Sequence, residues 1–148
     1  MISDTHGLVR PEAAAALDGC DLIVHGGDVG GPEVLERLRA IAPVRAVRGN
    51  NDRGTWAREL PEFDEVEVGP VSLYVLHEIA ALDVDPKAKG YAVVVSGHSH
   101  RPHAETRDGV LYLNPGSAGP RRFSLPVTVA RLTVRGTRLA HEIVELPV

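Results

Sequence analysis

The stretch Val93–His103 reads VVVSGHSHRPH and places His98, His100 and His103 just past a run of β-branched residues. Similar polar clusters recur elsewhere. Asp4 and His6 form a D-x-H pair, Asp28 closes HGGD, Asn50 and Asn51 lie in RGNND, and His77 ends VSLYVLH. These are oxygen and nitrogen donors without a thiolate. Such a borderline-hard set suits manganese, iron, nickel or zinc better than copper(I) or an iron–sulfur cluster. Along extended chain, residues two apart face the same way, so Asp4 can act with His6 and His98 with His100. Asp4, His6, Asp28, Asn50, His77, His98 and His100 are more donors than one ion needs if it keeps positions open for substrate. Two ions about 3.5–4 Å apart, sharing a carboxylate, would use them and could clamp a phosphoryl group.

These donors need elements that bring them to one place. PEAAAALDG and GPEVLERLRAIAP read as short helices, each opened by a proline (Pro11, Pro32). In the second, Val34, Leu35, Leu38 and Ile41 form an apolar stripe and Pro43 stops the helix. Met1–Ser3, DLIVHGGD and VRAVRGNND read as short strands running into loops. Hairpins are expected to turn at Gly69-Pro70, Asp108-Gly109 and near Gly136, with YAVVVSGHSH as a strand between the first two. A βαβαβ start followed by antiparallel strands implies an α/β (α+β) fold, with two packed sheets and helices outside. Each donor cluster then falls at the C-terminal end of a strand, where sites form in open α/β sheets.

Composition narrows the function classes. The 148 residues fit one domain, 1–148, large enough for a real core. A net charge of −4 leaves no footprint for long nucleic acid, so an anionic substrate needs a local positive centre. Lone Cys20 excludes an intrachain disulfide and a cysteine-rich zinc site, which fits a reducing cytoplasm. No apolar run reaches the length of a membrane span. A homo-oligomer stays open.

In order, the blocks DTHG, GGDVG, GNND, a strand-end histidine, GHSH and NPGS resemble the calcineurin-like metallophosphoesterases, above all their small bacterial and archaeal phosphodiesterases. The likeness runs from Asp4 to about Ser117. It implies that fold, with two mixed sheets flanked by helices, and two divalent ions, manganese foremost. By position, Asp4, His6 and His100 would hold one ion, Asn50, His77 and His98 the other, and Asp28 both. Hydroxide between the ions would attack the phosphorus of a small phosphate ester, nucleotide derivatives among the candidates. Diesters are expected to be better substrates than monoesters.

Three departures carry weight. Where many relatives have a histidine that protonates the leaving group, Asn51 stands, and an amide is no general acid near pH 7. His103 is the first substitute. Glu78 follows His77 where glycine is common, and it is open to ligation, to a salt bridge or to solvent. The first strand is a stub, from a late start or a tolerated short strand. His25 is a candidate supporting group, Asn114–Ser117 a turn beside the site, and Arg121 and Arg122 candidate phosphate contacts. Trp56 is expected to cover core. The rival from another class is a non-catalytic interaction protein resembling the retromer scaffold subunit. The complete donor set favours the enzyme.

Overall fold

A computed structural model describes residues Met1–Val148. Its larger sheet has the order β3-β4-β5-β7-β6, formed by β3 (Phe63–Val68), β4 (Val71–Leu76), β5 (Val93–Val95), β6 (Pro102–Arg107) and β7 (Val110–Pro115). The smaller layer is assembled from pieces. Strand β1 (Ile23–His25) pairs in parallel with β2 (Val44–Ala46), and β8 (Thr128–Arg135) pairs antiparallel with β9 (Arg138–Glu145). The N-terminal residues join them. Ile2 forms a parallel bridge to His25, and Ala130 N–H donates to the Met1 carbonyl at 3.0 Å. The stub strand is thus central, with a partner on each side.

All three expected hairpin turns form, at Gly69-Pro70, Asp108-Gly109 and Gly136. Strand direction departs from the expectation: β4, β5 and β7 run parallel, and only the outer strands β3 and β6 are antiparallel to their neighbours. Long connections allow this. The chain between β4 and β5 includes a 3-10 turn (Ile79–Ala81) and a short helix, α4 (Pro86–Lys89). Asp85 caps α4 by accepting from the backbone N–H groups of Lys87 and Ala88, and Gly90 ends it at φ 80°.

Period-two burial decides which face each strand turns to which layer. Leu73, Val75, Val93, Val95, Leu111 and Leu113 point into the core between the sheets, where they meet Met1, Val24 and Ala130. Tyr74, Leu76, Val94 and Val110 face the other way and are covered by Tyr91, Leu82 and Val84. Helices α1 (Pro11–Leu17) and α2 (Pro32–Arg39) bury Ala13, Leu17, Val34, Leu35 and Leu38 against Ile2, Ile23 and Val129 on the outside of the smaller sheet. Ile41 and Trp56, the latter on the one-turn helix α3 (Thr55–Arg58), are partly buried against this cluster, so Trp56 covers core as expected. Because Ile2, β1 and β2 are mutually parallel, as are β4, β5 and β7, the loops bearing the donor clusters leave the C-terminal ends of their strands.

Leu73 is 1% exposed at the centre of the packed interface. Leu73→Ala is expected to cost about 2–5 kcal/mol, the range for a cavity left by a buried leucine. A urea-unfolding midpoint unchanged by the substitution would contradict this layering.

Candidate metal centre

The donors converge, but not by extended-chain geometry. Asp4, His6, Asp28, His98 and His100 all have left-handed backbone, with φ of 53°, 46°, 54°, 70° and 61°. The alternation assumed for D-x-H and H-x-H therefore does not apply. Each pair sits on a tight loop that turns its side chains inward. Left-handed backbone costs a residue with a Cβ roughly 1–2 kcal/mol, and its clustering at one place marks strain held for function.

Close-packed loops hold the strain. Asp4 N–H donates to the Gly27 carbonyl and His6 N–H to the Asp28 carbonyl, both at 3.0 Å. Gly97 N–H donates to the His77 carbonyl at 2.9 Å, and the Ser117 hydroxyl to the Asp4 carbonyl at 3.0 Å. Asn114 Nδ2 donates to the Gly97 carbonyl at 2.9 Å and to Ser99 Oγ at 3.1 Å, so the NPGS segment braces the GHSH loop. Gly49 and Gly97 permit the close approach. A Cβ on Gly49 would overlap Asp28, and one on Gly97 would overlap Ser3 and Asp4.

Two groups of donor atoms result. Ligand atoms of Asp4, His6 and His100 all lie within 4.8 Å of one another, as do those of Asp4, Asp28 and His77. The Nε2 atoms of His6 and His100 are 3.3 Å apart, and His100 Nε2 is 3.5 Å from Asp4 Oδ1. On the other side, Asn50 Oδ1 lies 2.9 Å from His77 Nε2 and 3.2 Å from His98 Nδ1. Asp28 Oδ2 stands between the groups, 3.8 Å from His6 Nε2 and 3.5 Å from His77 Nε2. With metal–ligand bonds of about 2.0–2.2 Å, neighbouring donors on one ion stand about 3–3.5 Å apart, so these spacings fit the edges of a coordination shell.

The donors are also prepared for a cation. Asp4 is fully buried. Its Oδ2 accepts from the Ser3 hydroxyl at 2.7 Å and from His98 N–H at 3.1 Å, while its Oδ1 is buried without any hydrogen bond. Burial raises the pKa of Asp4 above the ordinary carboxylate range, the signature of a charge without a counter-ion. Burial acts on Asp28 in the same direction, but hydrogen bonds from His77 and Asn51 prevail and hold its carboxyl well below that range. His77 Nδ1 lies 2.7 Å from the Gly26 carbonyl and can only donate to it. Burial disfavours the charged ring, but Asp28 prevails and raises the His77 pKa, so without metal the imidazolium donates from Nε2 to Asp28. Once that proton is lost, the Nε2 lone pair faces the donors, the form a metal takes. Burial, with the charge of Arg122 as the next cause, lowers His100 to about 4, leaving it a neutral imidazole at pH 7. Neutral imidazole is the form that binds a metal. Buried Asp4 Oδ1, aimed at the cluster without a donor, is the clearest sign that the residues fit a metal centre.

Other sequence expectations resolve differently. Asn51 donates twice to Asp28, from its backbone N–H to Oδ1 and from Nδ2 to Oδ2, each at 2.9 Å. It clamps the carboxylate between the two groups. His103 is not part of the cluster. It stands exposed on edge strand β6 with Nε2 3.3 Å from Glu105, because its neighbour Ala104 takes the core-facing side of that strand. Glu78 reaches His98 Nε2 at 3.6 Å, the salt-bridge option. Arg121 is bonded to the carbonyls of Leu125 and Val148.

His25 lies beneath the site. The Thr5 hydroxyl donates to the Val29 carbonyl at 2.8 Å, so it accepts from His25 Nε2 at 3.0 Å. His25 Nδ1 then accepts from Gly27 N–H at 3.1 Å, which fixes one neutral tautomer. Asp52 has a role that sequence reasoning does not assign. Its buried carboxylate accepts from the N–H groups of Gly49, Val29 and Gly30 at 2.8, 3.2 and 3.0 Å, tying the GNND loop to the Asp28 loop. Only its position in that block could have signalled it.

A scan against family models matches residues 1–137 to the calcineurin-like phosphoesterase superfamily domain. The chain belongs to that superfamily. A probable metallophosphoesterase of Methanothermobacter thermautotrophicus is 34% identical over 155 aligned positions, covering 97% of this chain and 90% of the relative. Among solved structures, an archaeal phosphodiesterase superposes with a TM-score of 0.79 at 23% identity, covering 97% of each chain. Vps29 from Chaetomium thermophilum does so with a TM-score of 0.79 at 20% identity, covering 99% of this chain and 95% of that one. At such identities these two likenesses establish the fold. As a metallophosphoesterase relative, the chain carries candidate ligands for divalent metal ions.

Burial lowers the pKa of His25 from 6.5 to about 3, so folding favours its neutral form. The unfolded chain takes up the proton first, and the stability conferred by neutral His25 is present above about pH 6.5 and lost as pH falls toward 3. Neutral His100 adds to the loss over 6.5 to about 4. The raised pKa values of Asp4 and His77 act in the opposite sense, so the His25 contribution is read by difference: in chelator-treated protein the urea midpoint is expected to fall further from pH 7 to pH 4 than in His25→Gln. An equal fall in both would contradict the assignment of a buried neutral imidazole at His25.

Proposed function

We propose that chain 1–148 acts as one domain and is a phosphodiesterase with a dinuclear metal centre, manganese being the preferred ion. The observation that carries this reading is Asp28 Oδ2, poised between a His6 group and a His77 group. In this reading Asp4, His6 and His100 would hold one ion, Asn50, His77 and His98 the other, and Asp28 would serve both. When bound, such ions supply Lewis acidity that polarises a phosphoryl group and lets water furnish a nucleophile at neutral pH.

The chain's own residues do the rest. Gly26 and Glu78 orient the His77 and His98 rings through the nitrogens turned away from the centre. Asn51 holds Asp28 ionised and in register. Arg122, close enough to bear on His100, adds positive charge for the phosphate. No residue of the donor cluster is free to protonate a departing alkoxide: the imidazoles are assigned to metal, Asn51 is an amide, and His103 points to solvent. Aryl diesters, whose leaving groups need no proton, are accordingly the preferred class. Alkyl monoesters bring extra charge, which strengthens ground-state binding without helping the transition state. A scaffold role would not need every donor position filled, and the complete set favours catalysis.

Two measurements check this reading. Hydrolysis of an aryl diester is expected to vanish with a strong chelator, to return with Mn²⁺ and to exceed that of an alkyl monoester. Equal turnover in metal-stripped protein, or faster alkyl monoester hydrolysis, would contradict it. Asn51→Ala is expected to weaken metal affinity or activity about 10–100-fold, the usual cost of losing a partner that orients a ligand. An Asn51→Ala protein that matched the parent in both would leave Asn51 without the clamping role.

A further inference from the structure

A cleft of about 480 Å³ opens beside the donor cluster and shares Asn50 and His77 with it. The far wall is apolar: Phe63, Tyr74, Leu76 and Ala81. Phe63 is 55% exposed, yet it is held on a rigid strand. It pairs with Leu76, the residue before His77, and its ring stacks on Tyr74 with centroids 5.6 Å apart and planes 21° from parallel. The preceding turn is fastened as well: Arg48 N–H donates to the Pro61 carbonyl at 2.8 Å, and its guanidinium meets Glu62 at 2.9 Å. An aromatic face is thus presented to solvent next to the donors at no cost in side-chain ordering on binding.

The charge of the mouth narrows what enters. Arg48 is neutralised by Glu62, and Asp52 is committed to backbone N–H groups. Asp83 remains as an acceptor, and Glu78, which turns Oε1 to His98, keeps its second oxygen. These carboxylates repel a second phosphate, so the cleft does not suit a nucleic-acid strand or a polyphosphate. They suit a flat, uncharged group with N–H donors on its edge. A nucleobase carrying an exocyclic amino group has that chemistry, and its π-face can stack on Phe63.

We propose that this cleft binds the organic arm of the substrate, an amino-bearing nucleobase stacked on Phe63, and that Phe63 determines specificity for it. The proposal rests on the phosphodiesterase reading for the substrate's phosphate but is tested by binding alone. The probes are two non-hydrolysable monoanions, adenosine 5′-methylphosphonate and methyl methylphosphonate, titrated calorimetrically into Mn²⁺-loaded protein. The adenosine probe is expected to bind roughly tenfold more tightly, the low end of a base–aromatic stack. That ratio should fall toward one in Phe63→Ala and persist in Phe63→Trp. Both probes are read on the same protein, so a general loss of stability or metal cancels in the ratio. Equal affinities in the parent, or a ratio unchanged in Phe63→Ala, would overturn the proposal. So would a phenyl methylphosphonate ester binding as tightly as the adenosine probe, since the carboxylates would then have no role. A tenfold preference in a protein that hydrolyses no diester would uphold the cleft and sink the functional reading. Diester hydrolysis with a ratio of one would do the reverse.

Discussion

Two buried carboxylates facing a ring of imidazoles form the constraint on which the rest of this structure depends. Asp4 is fully enclosed with one oxygen unpartnered, and Asp28 lies between two histidine-bearing groups. In a protein interior such a charge is costly unless a counter-charge is present. Five donors also hold left-handed backbone. Neither cost serves folding. Both are explained if the folded chain is a preformed cage for cations, and a bound cation then returns stability to the fold.

The architecture answers that need. Two parallel strand groups send their C-terminal ends to one rim, so segments distant in sequence deliver donors without long loops. Glycines at 49 and 97 let the loops pack onto Asp28 and Asp4. A supporting tier of Ser3, His25, Asp52 and Asn114 fixes those loops by hydrogen bonds that never touch the donor atoms' inward faces, Ser3 on Asp4 excepted. The same rim carries the Phe63 cleft, because β3 pairs with β4, the strand that leads into His77.

Much of this was legible in the sequence, for identifiable reasons. The order of donor blocks and their place at strand ends could be read because strand ends are local signals: an apolar run stops and a polar cluster begins. Hairpin turns at Gly69, Asp108 and Gly136 were legible for the same reason. The parallel core of the larger sheet was not, because strand direction is decided by long connections such as the one containing α4. That helix has its cap, its proline and its closing glycine in the sequence, but at four residues it shows no periodicity. The donor loops were read as extended, and nothing local in D-x-H announces a left-handed turn. Asn51 and Asp52 act on residues more than twenty positions away, so their roles emerged only when the two loops were brought together. His103 shows the converse: next to the donor cluster in sequence, it is left in solvent by the alternation along β6, whose core-facing side goes to Ala104.

The central claim is that the donors form two metal sites joined by Asp28. Metal content of the purified chain after equilibration with Mn²⁺ and removal of free ion, measured by plasma mass spectrometry, tests it most directly. The expected result is two ions per chain, falling to one or fewer in Asp28→Ala while circular dichroism stays native. A single ion in the parent, or two retained in Asp28→Ala, would contradict a shared bridging carboxylate.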